Sequence, residues 1–177
     1  LLNDTTPDVS GSCVPGFTVR VRDGATVRCT TTCQLDGTFV CTLSSLGNGV
    51  RTLTAIQSDA PSCSLALSAP STAVVVTIDG VAPSQPTITA PTAGSVVTQN
   101  PPDIIGTCET GATVRVFEGV TICTQPCVAS AFSCRTSLLT NGTHTISAVQ
   151  VDPAGNSSTV VSRTFTMSAP APPAITT

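Results

Sequence analysis

Pro101-Pro-Asp-Ile-Ile-Gly-Thr-Cys-Glu-Thr-Gly-Ala-Thr-Val-Arg-Val-Phe-Glu-Gly119 is a near-copy of Thr6-Pro-Asp-Val-Ser-Gly-Ser-Cys-Val-Pro-Gly-Phe-Thr-Val-Arg-Val-Arg-Asp-Gly24. Cys13 falls on Cys108, Gly16 on Gly111, and Thr18-Val-Arg-Val21 on Thr113-Val-Arg-Val116. A self-match of this length means that one folding unit occurs twice. Within it, apolar and polar residues alternate from Phe17 to Arg22 and then stop at Asp23-Gly24, the pattern of a strand entering a hairpin.

Outward from this stretch the same reading continues. Short alternating segments are separated by Gly, Asp, Asn or Pro every eight to twelve residues, the spacing of a sandwich or barrel. Phe39, Cys41 and Leu43 share one face by the period of two, and Phe132, Cys134 and Thr136 take their slots in the second copy. Asn141-Gly142 matches Asn48-Gly49, and Ala148-Val-Gln150 matches Ala55-Ile-Gln57. No window sustains the apolar i, i+3, i+4 pattern of a helix. The 177 residues suit two domains of roughly 90 residues each. They are expected at 1–79 and 80–168, with a separate strand-like tail at 169–177.

Composition narrows the function classes. There is no Trp or Tyr, and only 10% of residues are charged, giving a net charge of −3. Neither nucleic acid nor an anionic membrane is the expected partner of so thin and acidic a charge. All seven basic residues are Arg, so Schiff-base chemistry on Lys is excluded. No apolar run approaches the ~18 residues of a membrane span, and no leader is read at Leu1. Nine Cys point to an oxidising, extracellular compartment.

Gly106-Thr-Cys-Glu-Thr-Gly-Ala-Thr-Val-Arg-Val116, Asn141-Gly-Thr-His-Thr-Ile-Ser-Ala148 and Asp152-Pro-Ala-Gly-Asn156 resemble the bacterial Ig-like tandem repeats of cell-surface adhesins and extracellular filaments. So do the joint Ile78-Asp-Gly-Val-Ala-Pro83 and the Pro86-Thr-Ile-Thr-Ala-Pro91 that follows it. The resemblance covers essentially the whole chain. It implies an all-β fold of two tandem seven-stranded antiparallel Ig-like sandwiches, serving as stalk or ligand-presenting module.

The two copies differ at their starts. The second opens with Val81-Ala-Pro-Ser-Gln-Pro-Thr-Ile-Thr-Ala-Pro91, an edge strand broken by Pro. The first has no such segment, because Leu1-Leu2-Asn3 already aligns with Val96-Val97 and the residues after them. Its sandwich is expected to lack one edge strand, leaving unpaired backbone groups and an apolar slot. After the second copy comes Ser168-Ala-Pro-Ala-Pro-Pro-Ala-Ile-Thr-Thr177, which reads like another opening strand, with Ile175 on Ile88. Either the tail, through Pro173, Ala174, Ile175 and Thr176, inserts into the next subunit's first domain, or the chain is a window of a longer array.

Four Cys recur at matching places: Cys13, Cys29, Cys33 and Cys41 against Cys108, Cys123, Cys127 and Cys134. Two disulfides per domain are expected. Cys29 and Cys33 lie roughly 13 Å apart on an extended strand, too far for a bridge. That leaves Cys13–Cys33 with Cys29–Cys41, or Cys13–Cys29 with Cys33–Cys41. The first is favoured, since Phe39-Cys41-Leu43 and Val27-Cys29 can both face the core; its counterpart is Cys108–Cys127 with Cys123–Cys134. The Cys-x3-Cys spacing is poor for zinc. Cys63 has no counterpart and is the candidate for an intermolecular bridge or a free thiol.

No catalytic set, cofactor site or metal site is expected. His144 is the single His, aligned with Arg51 and read as exposed or at a sheet edge. Acids that recur in both copies (Asp8 with Asp103, Asp23 with Glu118, Asp59 with Asp152) are better explained as turn and cap chemistry than as one active site. The expectation is a non-enzymatic structural subunit of a cell-surface or secreted filament, its partner another copy of itself and, beyond that, a host or neighbouring-cell surface. The alternative is a stalk segment of a long adhesin.

Overall fold

The computed structural model describes residues 1–59, 67–168 and 170, and divides the chain into two compact units, Leu1–Val81 and Ala82–Thr177. Among the described residues there is no helix. In the first unit β1 (Asp8–Ser12), β2 (Thr18–Asp23), β3 (Thr26–Thr32), β4 (Thr38–Thr42), β5 (Gly49–Ser58) and β6 (Val74–Ile78) form two sheets, β1-β4 and β3-β2-β5-β6. The second unit contains β7 (Thr87–Ala90), β8 (Val96–Val97), β9 (Asp103–Thr107), β10 (Thr113–Glu118) and β11 (Val120–Pro126). It continues with β12 (Ala131–Arg135), β13 (Gly142–Val151) and β14 (Val161–Met167). Its sheets are β12-β9-β7 and β11-β10-β13-β14-β8.

The duplicated stretch forms the same ladder in both units. Alternation sends Val19 and Val21 of β2, and Val114 and Val116 of β10, into the cores. Each of these strands folds back through a tight hairpin, β2 into β3 and β10 into β11. Gly24 (φ 59°) and Gly119 (φ 69°) take the left-handed conformation that the turn demands, and each ladder carries a bulge just before it. Phe39, Leu43, Leu46, Leu53 and Ile78 complete the first core. Ile88, Ile104, Phe132, Ile146, Phe165 and Met167 are among those that complete the second.

Among the described residues the second unit has eight named strands, where seven were expected, and the first has six, where a seven-stranded sandwich lacking one edge strand was expected. The opening edge strand of the second unit is split. Its β7 half pairs antiparallel with β9 in one sheet, and its β8 half pairs parallel with β14 in the other. Pro91, between the halves, cannot donate to a ladder, so the strand breaks there and changes sheets. In the first unit Leu2 makes the β8 half alone, bridging in parallel to Ile78. Its N–H donates to Thr77 O at 2.9 Å, and Asp79 N–H donates to Leu2 O at 2.8 Å.

All eight recurring cysteines are paired. Cys13 joins Cys33 and Cys29 joins Cys41, with Cα–Cα distances of 5.8 and 6.1 Å. Cys108 joins Cys127 and Cys123 joins Cys134, at 5.9 and 6.3 Å. Cys29–Cys41 and Cys123–Cys134 each tie a strand of the larger sheet to one of the smaller, crossing the core. Cys63 and the tail residues Pro173, Ala174, Ile175 and Thr176 lie outside the described residues.

Candidate functional site: a strand-shaped groove

β9 is held from both sides, by β12 and β7, whereas among the described residues β1 pairs with β4 alone. Where β7 would lie, the first unit has a groove of about 510 Å³. Its floor is apolar, made by Val21, Phe39, Leu53 and Val76; one wall is the free edge of β1, and Val74 stands at the rim. A smaller hollow of about 200 Å³ continues it past Ser12 and Cys13 to Gln57.

The second unit displays what such a groove holds when filled. Ile88 of β7 is 1% exposed and packs into the core beside Ile104 and Phe132. Its ladder partner is Gly106. A Cβ on Gly106 would stand 1.8 Å from Thr87 O and 2.4 Å from the Phe132 ring, so only glycine lets β7 approach this closely. Gly11 occupies the equivalent place in β1, where a Cβ would meet the Phe39 ring at 2.8 Å and no backbone within 4 Å among its nearest atoms.

Polar groups fasten β7 in place. Gln150, 0% exposed, accepts from Glu109 N–H at 2.9 Å through Oε1 and donates through Nε2 to Ser84 O, on the approach to β7. Arg163 donates to Ile88 O. Thr89 Oγ1 donates to Ile105 O at 3.1 Å. In the first unit Gln57 repeats half of the Gln150 arrangement, its Oε1 accepting from Val14 N–H at 2.9 Å. No acceptor for its Nε2 is present among the described residues. Val74, 58% exposed, stands where Arg163 does.

The expectation for His144 is overturned. It lies on β13, an interior strand between β10 and β14, with its side chain only 12% exposed. Counting in twos from Ile146 and Ala148 puts it on the core face, which the comparison with Arg51 concealed. Nδ1 lies 3.0 Å from Glu118 Oε2, Nε2 lies 2.9 Å from Thr140 O, and the ring stacks on Phe165 at 6.0 Å. The hydrogen bond with Glu118 raises the pKa of His144 above the usual 6.5, against the opposing pull of burial. In the first unit the same corner holds Asp23 with Arg28 at 3.1 Å and Arg51 at 3.6 Å.

The other recurring acids serve turns and ladders. Asp152 accepts from Ala154 N–H and Asn156 N–H, and Asp8 accepts from Thr42 Oγ1. Among the described residues no group of three or more His, Cys, Asp and Glu stands close enough to hold a metal ion. Sequence reading missed Gln57 and Gly11 as groove residues, although both recur in the second copy, as Gln150 and Gly106.

No protein-family model and no curated protein matches the chain. Among solved structures it is similar to the fibronectin(III)-like modules of Clostridium thermocellum CbhA, at 19% identity over 93% of this chain and 87% of that one, with a TM-score of 0.53. It also aligns with a biofilm-associated protein BSP domain at 19% identity, covering 97% of this chain, with a TM-score of 0.35. A third alignment is with a C-terminal intimin fragment solved with the Tir intimin-binding domain, at 15% identity over 84% of this chain, with a TM-score of 0.42. The chain spans 29% of the biofilm-associated chain and 51% of the intimin chain. Strand order and the CbhA likeness together define the fold as two tandem, disulfide-stapled β-sandwiches of the Ig-like and fibronectin-III-like kind.

Proposed function

We propose that this chain is a non-enzymatic structural subunit of an extracellular or cell-surface filament. Subunits join head to tail when residues 169–177 of one copy add as a strand to β1 of the next. The observation that carries this reading is the groove beside β1, whose counterpart in the second unit is filled by β7. The tail matches the β7 region at Ala169 with Ala82, Pro170 with Pro83, Pro173 with Pro86, Ile175 with Ile88 and Thr176 with Thr89. Strand addition supplies main-chain hydrogen bonds along the edge, and alternate side chains fill pockets. A contact between unlike surfaces that does not close on itself builds an open fibre. Four disulfides fit an oxidising compartment outside the cytosol.

One observation favours a second reading. In the second unit the groove is filled by residues immediately upstream in the same chain. Repeats of a long adhesin stalk would each receive their edge strand in that way. Electron microscopy and sedimentation of the purified chain separate the two. Fibres that disappear when 169–177 are deleted support the filament. A chain that stays monomeric at high concentration overturns it and leaves the stalk. Non-reducing electrophoresis of Cys63→Ser tests the intersubunit staple; an unchanged ladder removes it.

A further inference from the structure

We propose that the groove of the first unit admits a strand in one direction and one register, set by Gln57 at its far end and Gly11 at its middle, and that the strand it admits is the 169–177 tail of a second copy. This rests on the strand-exchange reading for the identity of the occupant, and on the filled groove of the second unit for the recognition rule.

The rule follows from the occupied site. β7 runs antiparallel to β9, with Thr87 opposite Thr107 and Ile88 opposite Gly106, so residues preceding β7 lie beyond the end of β9. There Gln150 bridges two backbones, accepting from Glu109 and donating to Ser84 O. A carbonyl at one position and a buried aliphatic side chain four residues later are therefore the two fixed points. The first unit keeps both receptors. Gln57 holds its Oε1 on Val14, as Gln150 does on Glu109, and its Nε2 has no acceptor among the described residues. Gly11, like Gly106, puts no side chain against the Phe ring that borders the slot which Ile88 fills at home.

Two other fastenings of β7, those of Glu109 and Arg163, have no equivalent. Glu109, whose Oε2 also accepts from Ser84 N–H, is replaced by Val14, and Arg163 is replaced by Val74. The open site thus retains the amide donor, Gln57, and a hydroxyl, Ser12, in the place of Thr107, whose Oγ1 lies 2.6 Å from Thr87 Oγ1. In the tail, Ile175 at the Gly11 position puts the carbonyl of Ala171 at Gln57 and Thr176 in the place of Thr89. The Thr89 hydroxyl donates to Ile105 O, and the corresponding carbonyl belongs to Ser10. A shift of one residue would turn Ile175 away from the floor of the groove, because side chains alternate faces.

The test uses the full chain carrying Ile175→Asp, which disables its own tail, titrated with a synthetic peptide of residues 169–177 and followed by amide NMR. Saturable shifts centred on Asp8–Ser12 and Val14 are expected. A peptide with Ile175→Asp should bind at least tenfold more weakly, and so should one with the Ile moved by one position. The acceptor variant Gln57→Glu keeps the oxygen that Val14 needs and removes the donor. It should fold with an unchanged Val14 amide yet bind about tenfold more weakly. Equal binding of the shifted peptide, or binding indifferent to Gln57→Glu, would overturn the register rule. A peptide of residues 82–90 separates the two readings. If it binds under the rule while the tail peptide does not, the recognition rule stands and the tail as occupant falls, together with the head-to-tail filament. If neither binds, the rule itself falls.

Discussion

The edge of β1 and the edge of β9 begin from nearly the same residues and end in different states. Ile104 on β9 is 0% exposed, sealed by β7, while Val9 at the same place on β1 is only partly buried. Phe132 and Phe39 sit alike at the base, 3% and 4% exposed, but Ile88 packs into the core beside the first and a groove lies above the second. The corner beyond β2 and β10 differs as well. Asp23 is held by two arginines that are charged at every ordinary pH, and Glu118 is held by a histidine that is not. Duplication preserved the ladder and its disulfides. Among the described residues, the two units differ in whether that edge is covered and in how one of their corners is charged.

The largest break in this comparison should come from the cross-core staples. Replacing Cys29 and Cys41 by Ala, or Cys123 and Cys134 by Ala, is expected to cost about 4 kcal/mol. Because no β7-like strand covers β1 among the described residues, the pair of the first unit should unfold residues 1–81 at lower urea than the second pair unfolds residues 82–168. Amide signals assigned to each unit would record this. Matching midpoints would mean that the uncovered edge carries no cost.

The comparison can also be erased by design. A copy of residues 81–95 fused ahead of Leu1 recreates the order of the second unit. It should stabilise the first by about 3 kcal/mol, from one buried Ile and a short ladder of hydrogen bonds. Uptake of the tail peptide should stop. Hydrogen exchange over β1 is the readout, and unprotected amides there would count against the equivalence of the two grooves.

Glycine offers a finer contrast. Gly106→Ala drives a Cβ into Thr87 O and should cost about 3 kcal/mol or displace β7. Gly11→Ala presses only on the edge of the Phe39 ring and should cost about 1 kcal/mol. Urea unfolding of the two variants measures the difference, and equal losses would show that the close approach of β7 is not what separates the sites.

The smallest expected effect is one of pH. The pKa of His144 is raised in the folded state, so its bond to Glu118 contributes in full below pH 6.5 and is lost as pH rises through the raised value. The second unit should therefore weaken from pH 6 to pH 8.5 while the Arg51–Asp23 corner of the first stays constant. Glu118→Gln should flatten that slope; a slope that persists in the variant would assign it to another group.

Much of this was legible in the residues. The repeat, the period of two in Thr18-Val-Arg-Val21 and Thr113-Val-Arg-Val116, and the Asp23-Gly24 turn are local patterns, and each has one structural reading. Spacing along a strand also excluded a Cys29–Cys33 bridge, though it left two pairings open. Gln57 and His144 escaped because their importance depends on what lies across from them. A glutamine in an alternating strand looks the same whether its amide meets solvent or a neighbouring carbonyl.

By itself, then, the sequence determined the alternating strands, their turns and their duplication, because all of these follow from residue order and steric preference within a few positions. Only the tertiary structure decided which cysteines meet, that the edge of β1 borders an apolar groove ending at Gln57, and that His144 turns inward to Glu118. Those depend on contacts between residues far apart in the chain, where the free energy lies in packing across the two sheets, and no local pattern records it.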